Sequence, residues 1–165
     1  MSPTIRNQAK LAAIALAAAV ALSMSPDLAF AQSGHFNDRT WTCTDIGTQV
    51  ECSGKVSGLG GTTFEVTLEA DGIGSVECTN PGGNVAPGQD FTTDVGGSTG
   101  PQPTPTNGQF RFNLTTLAPS APPGSCPNPQ WTATVVDVTF TTATITLFED
   151  SNVSDQVTVN VQPES

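Results

Sequence analysis

The sequence predicts an all-β fold: an antiparallel β-sandwich, immunoglobulin-like, with seven to nine strands and two disulfides. Three observations carry that prediction. Apolar residues recur with period two along most of the chain, while strong helix formers are sparse. The alternating segments are separated by Gly, Pro, Asn and Asp clusters that mark turns. Each segment is apolar on one face only, which argues against a parallel α/β sheet, whose strands are apolar on both faces. A β-barrel with the same strands is the alternative architecture.

Taken in order, short strands are expected over 41–45 and 49–56. In "FEVTLEA", Phe64, Val66, Leu68 and Ala70 share one face, with Glu65, Thr67 and Glu69 on the other. Further short strands are expected over 74–79 and 90–95. Phe110, Phe112 and Leu114 alternate with Gln109, Arg111 and Asn113. Trp131, Ala133 and Val135 alternate with threonines; the parity then flips, and Val136, Val138 and Phe140 continue the apolar face. Two adjacent inward-type residues, Val135 and Val136, predict a β-bulge there. Ala143, Ile145 and Leu147 form another strand, and Val157, Val159 and Val161 the last. Between them, 96–107 reads as an exposed Gly-Pro-Thr loop, and 118–130 as a stiffer proline-rich segment. The immunoglobulin Cys…Trp…Cys spacing is not reproduced, since Trp41 precedes Cys43 and Trp131 follows Cys126.

The N-terminus carries an export signature. Arg6 and Lys10 precede the apolar run Leu11–Leu22, which is too short to span a bilayer comfortably. Ala29-Phe30-Ala31 is an A-x-A pattern, so cleavage is expected after Ala31. The expected organisation is a signal peptide over 1–31, a flexible mature N-terminus over 32–40 and one β-sandwich domain over 41–165. A secreted, extracellular protein with no membrane insertion after signal cleavage follows.

Charge narrows the partners. After cleavage, fourteen of the fifteen carboxylates remain against Arg39, Lys55 and Arg111, a net charge near −11. Such a chain repels phosphate backbones and anionic lipid heads, so no nucleic-acid partner is expected.

Cys43, Cys52, Cys78 and Cys126 in an exported chain of domain size point to disulfides rather than free thiols. Three pairings are possible. Cys43 and Cys52 flank a turn at Asp45-Ile46-Gly47, and a hairpin would bring them together; Cys78–Cys126 follows by elimination. In the chain-entropy model, closed loops of about 10 and about 50 residues contribute roughly 2.7 and 4 kcal/mol. A zinc site is disfavoured because no C-x-x-C occurs and the only histidine, His35, lies outside the cluster.

Catalytic motifs are weak. Gly96-Gly97-Ser98-Thr99-Gly100 matches the letters of a nucleophile elbow, but a Pro-Thr loop rather than a helix follows. His35, at an end expected to fray, is the only imidazole base available. Glu65 and Glu69 share a strand face but lie about 13 Å apart, too far for a paired-carboxylate glycosidase. The expectation is no enzyme and no cofactor. Oxygen ligands for calcium are offered by Asp90 and Asp94, which flank one loop, and by Glu149, Asp150 and Asp155 in "FEDSNVSDQ". No D-x-D-x-D-G run is present, so that last turn is expected to be solvated and to hold no metal. Trp41 and Trp131 are candidate carbohydrate platforms, with core packing as the plainer expectation for each.

"CTNPGGNVAPGQD" over 78–90 reads as two successive turns held by Cys78, with Pro81 and Pro87 fixing φ and Gly82, Gly83 and Gly88 allowing positive φ. Asn80 and Asn84 are its candidate ligand contacts. "CTNPGGNVAPGQ", "NGQFRFNLTT" and "CPNPQWTATVVDVTFTTATIT" together resemble a pattern of small, uncharacterised, secreted all-β bacterial proteins of actinobacterial type. The resemblance covers most of residues 41–149. It implies export, strand content and the Cys78–Cys126 pairing, and it carries no catalytic or ligand residue. The resulting expectation is a non-enzymatic extracellular or cell-envelope-associated interaction module. A carbohydrate- or small-ligand-binding module is the alternative, and a hydrolase the third reading.

Overall fold

A computed structural model describes residues 33–37 and 41–163. The expected signal peptide and its cleavage site lie outside the described residues. Ten strands and no helix occur among those described: β1 (His35–Phe36), β2 (Thr42–Asp45), β3 (Val50–Ser57), β4 (Thr63–Thr79), β5 (Val85–Pro87), β6 (Phe91–Ser98), β7 (Gln102–Pro103), β8 (Gln109–Thr115), β9 (Thr132–Glu149) and β10 (Asn152–Asn160).

All pairings between these strands are antiparallel and build two sheets. In the first sheet, one edge of β3 is used by β8 from Glu51 to Ser57. β2 and β1 therefore share its other edge, opposite Val50–Ser53 and Val56–Ser57 respectively. In the second sheet β9 runs along β4 from Phe64 to Thr79, leaving β7, β6 and β5 to line up along the opposite edge of β4. β10 completes the sheet beside β9. The ten strands thus occupy three lanes in one sheet and four in the other.

The strand tally differs from the sequence expectation for a physical reason. Expected strands at 64–70 and 74–79 are one strand, β4, and those at 131–140 and 143–147 are one strand, β9. Bulges absorb the parity changes and let the ladder continue. Val136 is the extra residue where Ser75 faces Asp137 and Val76 faces Val135, which is the bulge anticipated there. As the unpaired residue it turns outward and is 45% exposed, so Val136 leaves the apolar face expected for it. A second bulge at Thr141, between Phe140 and Thr142, was not anticipated. The expected loop over 96–107 is instead docked along the sheet edge: Thr99 N–H bonds Val66 O at 3.0 Å, and β7 pairs Thr63–Phe64. Residues 33–37 also join the fold, with Phe36 only 4% exposed.

The inward faces of both sheets meet in one apolar core. Val50, Val56, Phe112 and Leu114 come from the first sheet; Phe64, Val66, Leu68, Val138, Phe140, Ile145 and Leu147 come from the second. Phe64 meets Phe110 across the sheets with ring centroids 4.8 Å apart and the rings tilted by 59°, and Phe36 meets Phe112 edge-on at 5.9 Å. This is the sandwich-like arrangement that one-faced alternation requires. The Cys43–Cys52 and Cys78–Cys126 disulfides are both formed. Cys43 and Cys52 face each other directly in the β2–β3 register. After β10 the chain returns to β2: Asp45 N–H bonds Gln162 O and Gln162 N–H bonds Cys43 O, each at 2.9 Å. That parallel contact covers part of the outer edge of β2.

Candidate binding groove at Trp131

The Cys78–Cys126 bridge ties the end of β4 to the proline-rich segment before β9. Pro122-Pro123-Gly124-Ser125 makes a turn with Gly124 at φ +89° and Ser125 N–H bonded to Pro122 O at 3.2 Å. Proline second and a positive-φ glycine third are the signature of a type II turn. Asn128 makes the next reversal: its side-chain oxygen accepts Gln130 N–H at 2.9 Å, and its carbonyl accepts Trp131 N–H at 3.0 Å. These turns leave Trp131 half-buried at the start of β9. Its ring lines a groove of about 430 Å³ with Pro122, Pro123, Cys126, Pro129 and Ala133. Trp131 is not part of the core expected for it. Trp41 is half-buried and packed against the core, with its indole N–H buried and without a hydrogen-bond partner among the described residues.

The 78–90 stretch lies against the back of this segment. After Asn80 the chain makes one turn, not two. Asn80 Oδ1 accepts N–H bonds from Gly82 and Asn84, each at 2.9 Å, and Gly83 alone of its glycines takes positive φ, +81°. Asn80 therefore spends its side-chain oxygen on the turn itself. β5 then pairs back on the end of β4, Thr79 against Val85. Gly88 serves close approach: a Cβ there would meet Val76 Cγ1 at 2.8 Å, Cys78 Sγ at 2.9 Å and Ser125 O at 3.0 Å. Gln89 N–H bonds Ser125 O at 2.9 Å. Loop, disulfide and proline segment thus brace one another behind the groove.

The acidic candidates sit elsewhere. Glu149 is fully buried, contrary to the solvated turn expected from sequence. Its Oε1 accepts N–H from Gly60 at 2.7 Å and Gly61 at 3.1 Å; Oε2 accepts Gly34 N–H at 2.9 Å and the Ser154 hydroxyl at 2.6 Å. Burial pushes its pKa up, but the Ser154 hydroxyl and the Gly60, Gly61 and Gly34 N–H groups together outweigh it and leave the pKa lowered. Asp150 Oδ1 accepts the Thr62 hydroxyl at 2.6 Å and the Thr63 N–H at 2.9 Å. The Thr62 hydroxyl first, then the Thr63 and Thr62 N–H groups, hold its carboxyl down at about 2. Asp155 accepts Phe36 N–H at 2.8 Å and Gln156 N–H at 2.8 Å. These three carboxylates face hydrogen-bond donors and pin residues 33–36 and 58–63 to the β9–β10 hairpin. Asp90 is exposed, and Asp94 is exposed directly across from Asp71. Among the described residues no group of three or more His, Cys, Asp or Glu side chains is arranged to hold a metal ion.

Sequence reasoning placed Glu149 in a solvated turn and missed its burial, although a signal existed: it continues the inward parity of Ala143, Ile145 and Leu147. An acid in an inward register position demands donors, and the Gly-rich 58–61 loop supplies them. The residues of the elbow-like motif do not assemble as a triad. Ser98 gives its hydroxyl to Glu65 and receives Gly100 N–H at 2.7 Å. His35 lies on β1, paired with Ser57 and not frayed, its Nδ1 3.0 Å from Ser33 O. No helix among the described residues is long and apolar enough to cross a membrane, and two disulfides fit an oxidising compartment. No protein-family profile matches the chain, and no curated protein is significantly similar to it.

Proposed function

We propose that this protein is a non-enzymatic, exported interaction module, extracellular or attached to the cell envelope, that binds its partner through the Trp131 groove. The supporting observation is the half-buried indole outside the core, in a groove whose walls are stiffened by proline and locked by a disulfide. Ordering costs are already met in such a wall, which favours binding. The lane order supports the immunoglobulin-like reading. Numbering the seven lanes along the chain gives sheets 1-2-5 and 7-6-3-4. That order matches an immunoglobulin sandwich in which the fourth lane lies beside the third, as the additional variable-domain strand does. The resemblance to small secreted bacterial proteins supports export.

A carbohydrate or other small ligand is the reading of the partner that the groove itself favours, because an indole with proline walls presents flat apolar faces and little charge. The test is co-sedimentation of the oxidised protein with isolated bacterial envelopes and with insoluble neutral polysaccharides. Saturable pelleting weakened roughly tenfold or more by Trp131→Ala supports the assignment, in the range expected for a central aromatic anchor. Pelleting unchanged by Trp131→Ala, or absent with every solid, rejects it.

A further inference from the structure

The chain has few cations, and the fold sets two of them face to face. Lys55 on β3 and Arg111 on β8 are direct register partners on the outward side of the three-lane sheet. Opposed like charges on a ladder are destabilising, and one carboxylate at a diagonal position would relieve them. The four diagonal positions are Ser53, Ser57, Gln109 and Asn113, all neutral, in a chain with fifteen acidic residues. Among the described residues no carboxylate forms a salt bridge with either cation. The nearest acid along β3, Glu51, is four residues from Lys55, about 13 Å. Beside the pair, Asn107 and Gln109 help to line a shallow polar recess of about 260 Å³.

From this we infer a second binding site, for a single anionic group carried on a sugar: an acidic residue within a sparsely charged glycan. Arg111 offers a planar fork for a carboxylate or similar oxyanion, Lys55 a point charge beside it, and the surrounding amides and hydroxyls pair with sugar hydroxyls. Sparse charge is required because the remaining carboxylates repel a dense polyanion, whereas an isolated group meets the local cations within a Debye length. The site is distinct from the Trp131 groove and stands or falls separately.

The test is an NMR titration of the isotope-labelled, oxidised protein with hyaluronan oligosaccharides, which alternate charged and neutral sugars. Neutral chitin oligosaccharides and inorganic phosphate are the comparison arms. The expected result is saturable shifts confined to β3 and β8, weakened by salt, unchanged by Trp131→Ala, and weakened roughly tenfold or more by Arg111→Glu. Arg111→Glu should melt no lower than wild type, because it replaces repulsion with an ion pair; Lys55→Gln repeats the binding loss without a new charge. Absent shifts, shifts elsewhere, equal binding of the neutral oligosaccharide, phosphate binding as tight as the glycan, or binding untouched by both variants would overturn the inference. So would charge-dependent self-association in place of glycan binding, which would make a second copy the occupant.

Discussion

Replacing Glu149 with glutamine should remove about 2–3 kcal/mol of folding stability without changing a single apolar contact. The carboxylate is fully buried, and among the described residues Gly60 and Gly61 donate to one oxygen and Gly34 and Ser154 to the other. Glutamine keeps one acceptor oxygen, best placed toward Gly60 and Gly61, and turns an NH2 toward Gly34 and Ser154. The Ser154 hydroxyl can rotate to accept, but Gly34 N–H is left facing a donor. A buried unsatisfied amide costs about 1–3 kcal/mol, and the surviving bonds lose their charge assistance. Relief of the carboxylate's desolvation offsets part of this. For a domain of this size the melting temperature should fall by roughly 10 °C.

Acid titration supplies an internal check. The folded-state pKa of Glu149 is lowered, so its contribution is fully present above the unfolded value and is lost as pH falls through the folded one. The gap between wild type and Glu149→Gln should therefore be widest near neutral pH and narrow progressively below about pH 4.5. Calorimetry or circular-dichroism melts from pH 7 to pH 2.5 measure both quantities, with Glu69→Gln, an exposed carboxylate, as a control expected to stay within about 0.5 kcal/mol. A Glu149→Gln protein within about 1 kcal/mol of wild type at pH 7, or a gap independent of pH, would refute the reasoning.

Gly88→Ala should destabilise by about 1–3 kcal/mol in urea unfolding, because the methyl must enter the space between Val76, Cys78 and Ser125; an unchanged midpoint would show that the 78–90 segment is not braced there. Ser151→Gly should stabilise by about 1 kcal/mol, read as a higher urea midpoint at constant slope, since Asp150 and Ser151 take φ of +47° and +68° in the two-residue β9–β10 turn. A loss of stability in that variant would mean that the serine side chain contributes more than its backbone strain removes.

Local physics made much of this protein legible in its residues. Period-two alternation placed Phe64–Ala70, Phe110–Leu114 and Ala143–Leu147 on inward faces, because a strand's side chains must alternate whatever it packs against. The doubled apolar pair Val135-Val136 announced its bulge for the same reason. A turn between Cys43 and Cys52 made their pairing legible, since hairpin flanks are close by construction. Other features depended on which segments meet. Nothing local tells whether a strand ends at Ala70 or passes through Asp71 and Gly72 to Thr79; continuous pairing with β9 decides it. Glu149 reads as a surface acid until the Gly60–Gly61 loop and Gly34, about ninety and over a hundred residues away, bring donors to it. Trp131 has the parity of a core residue and lies instead in a groove, because the Asn128 turn and the Cys126 tether position the chain entering β9. Lys55 and Arg111 are unremarkable in sequence; only the β3–β8 register sets their charges directly opposite, since cross-strand distance depends on which chains pair and not on separation along one.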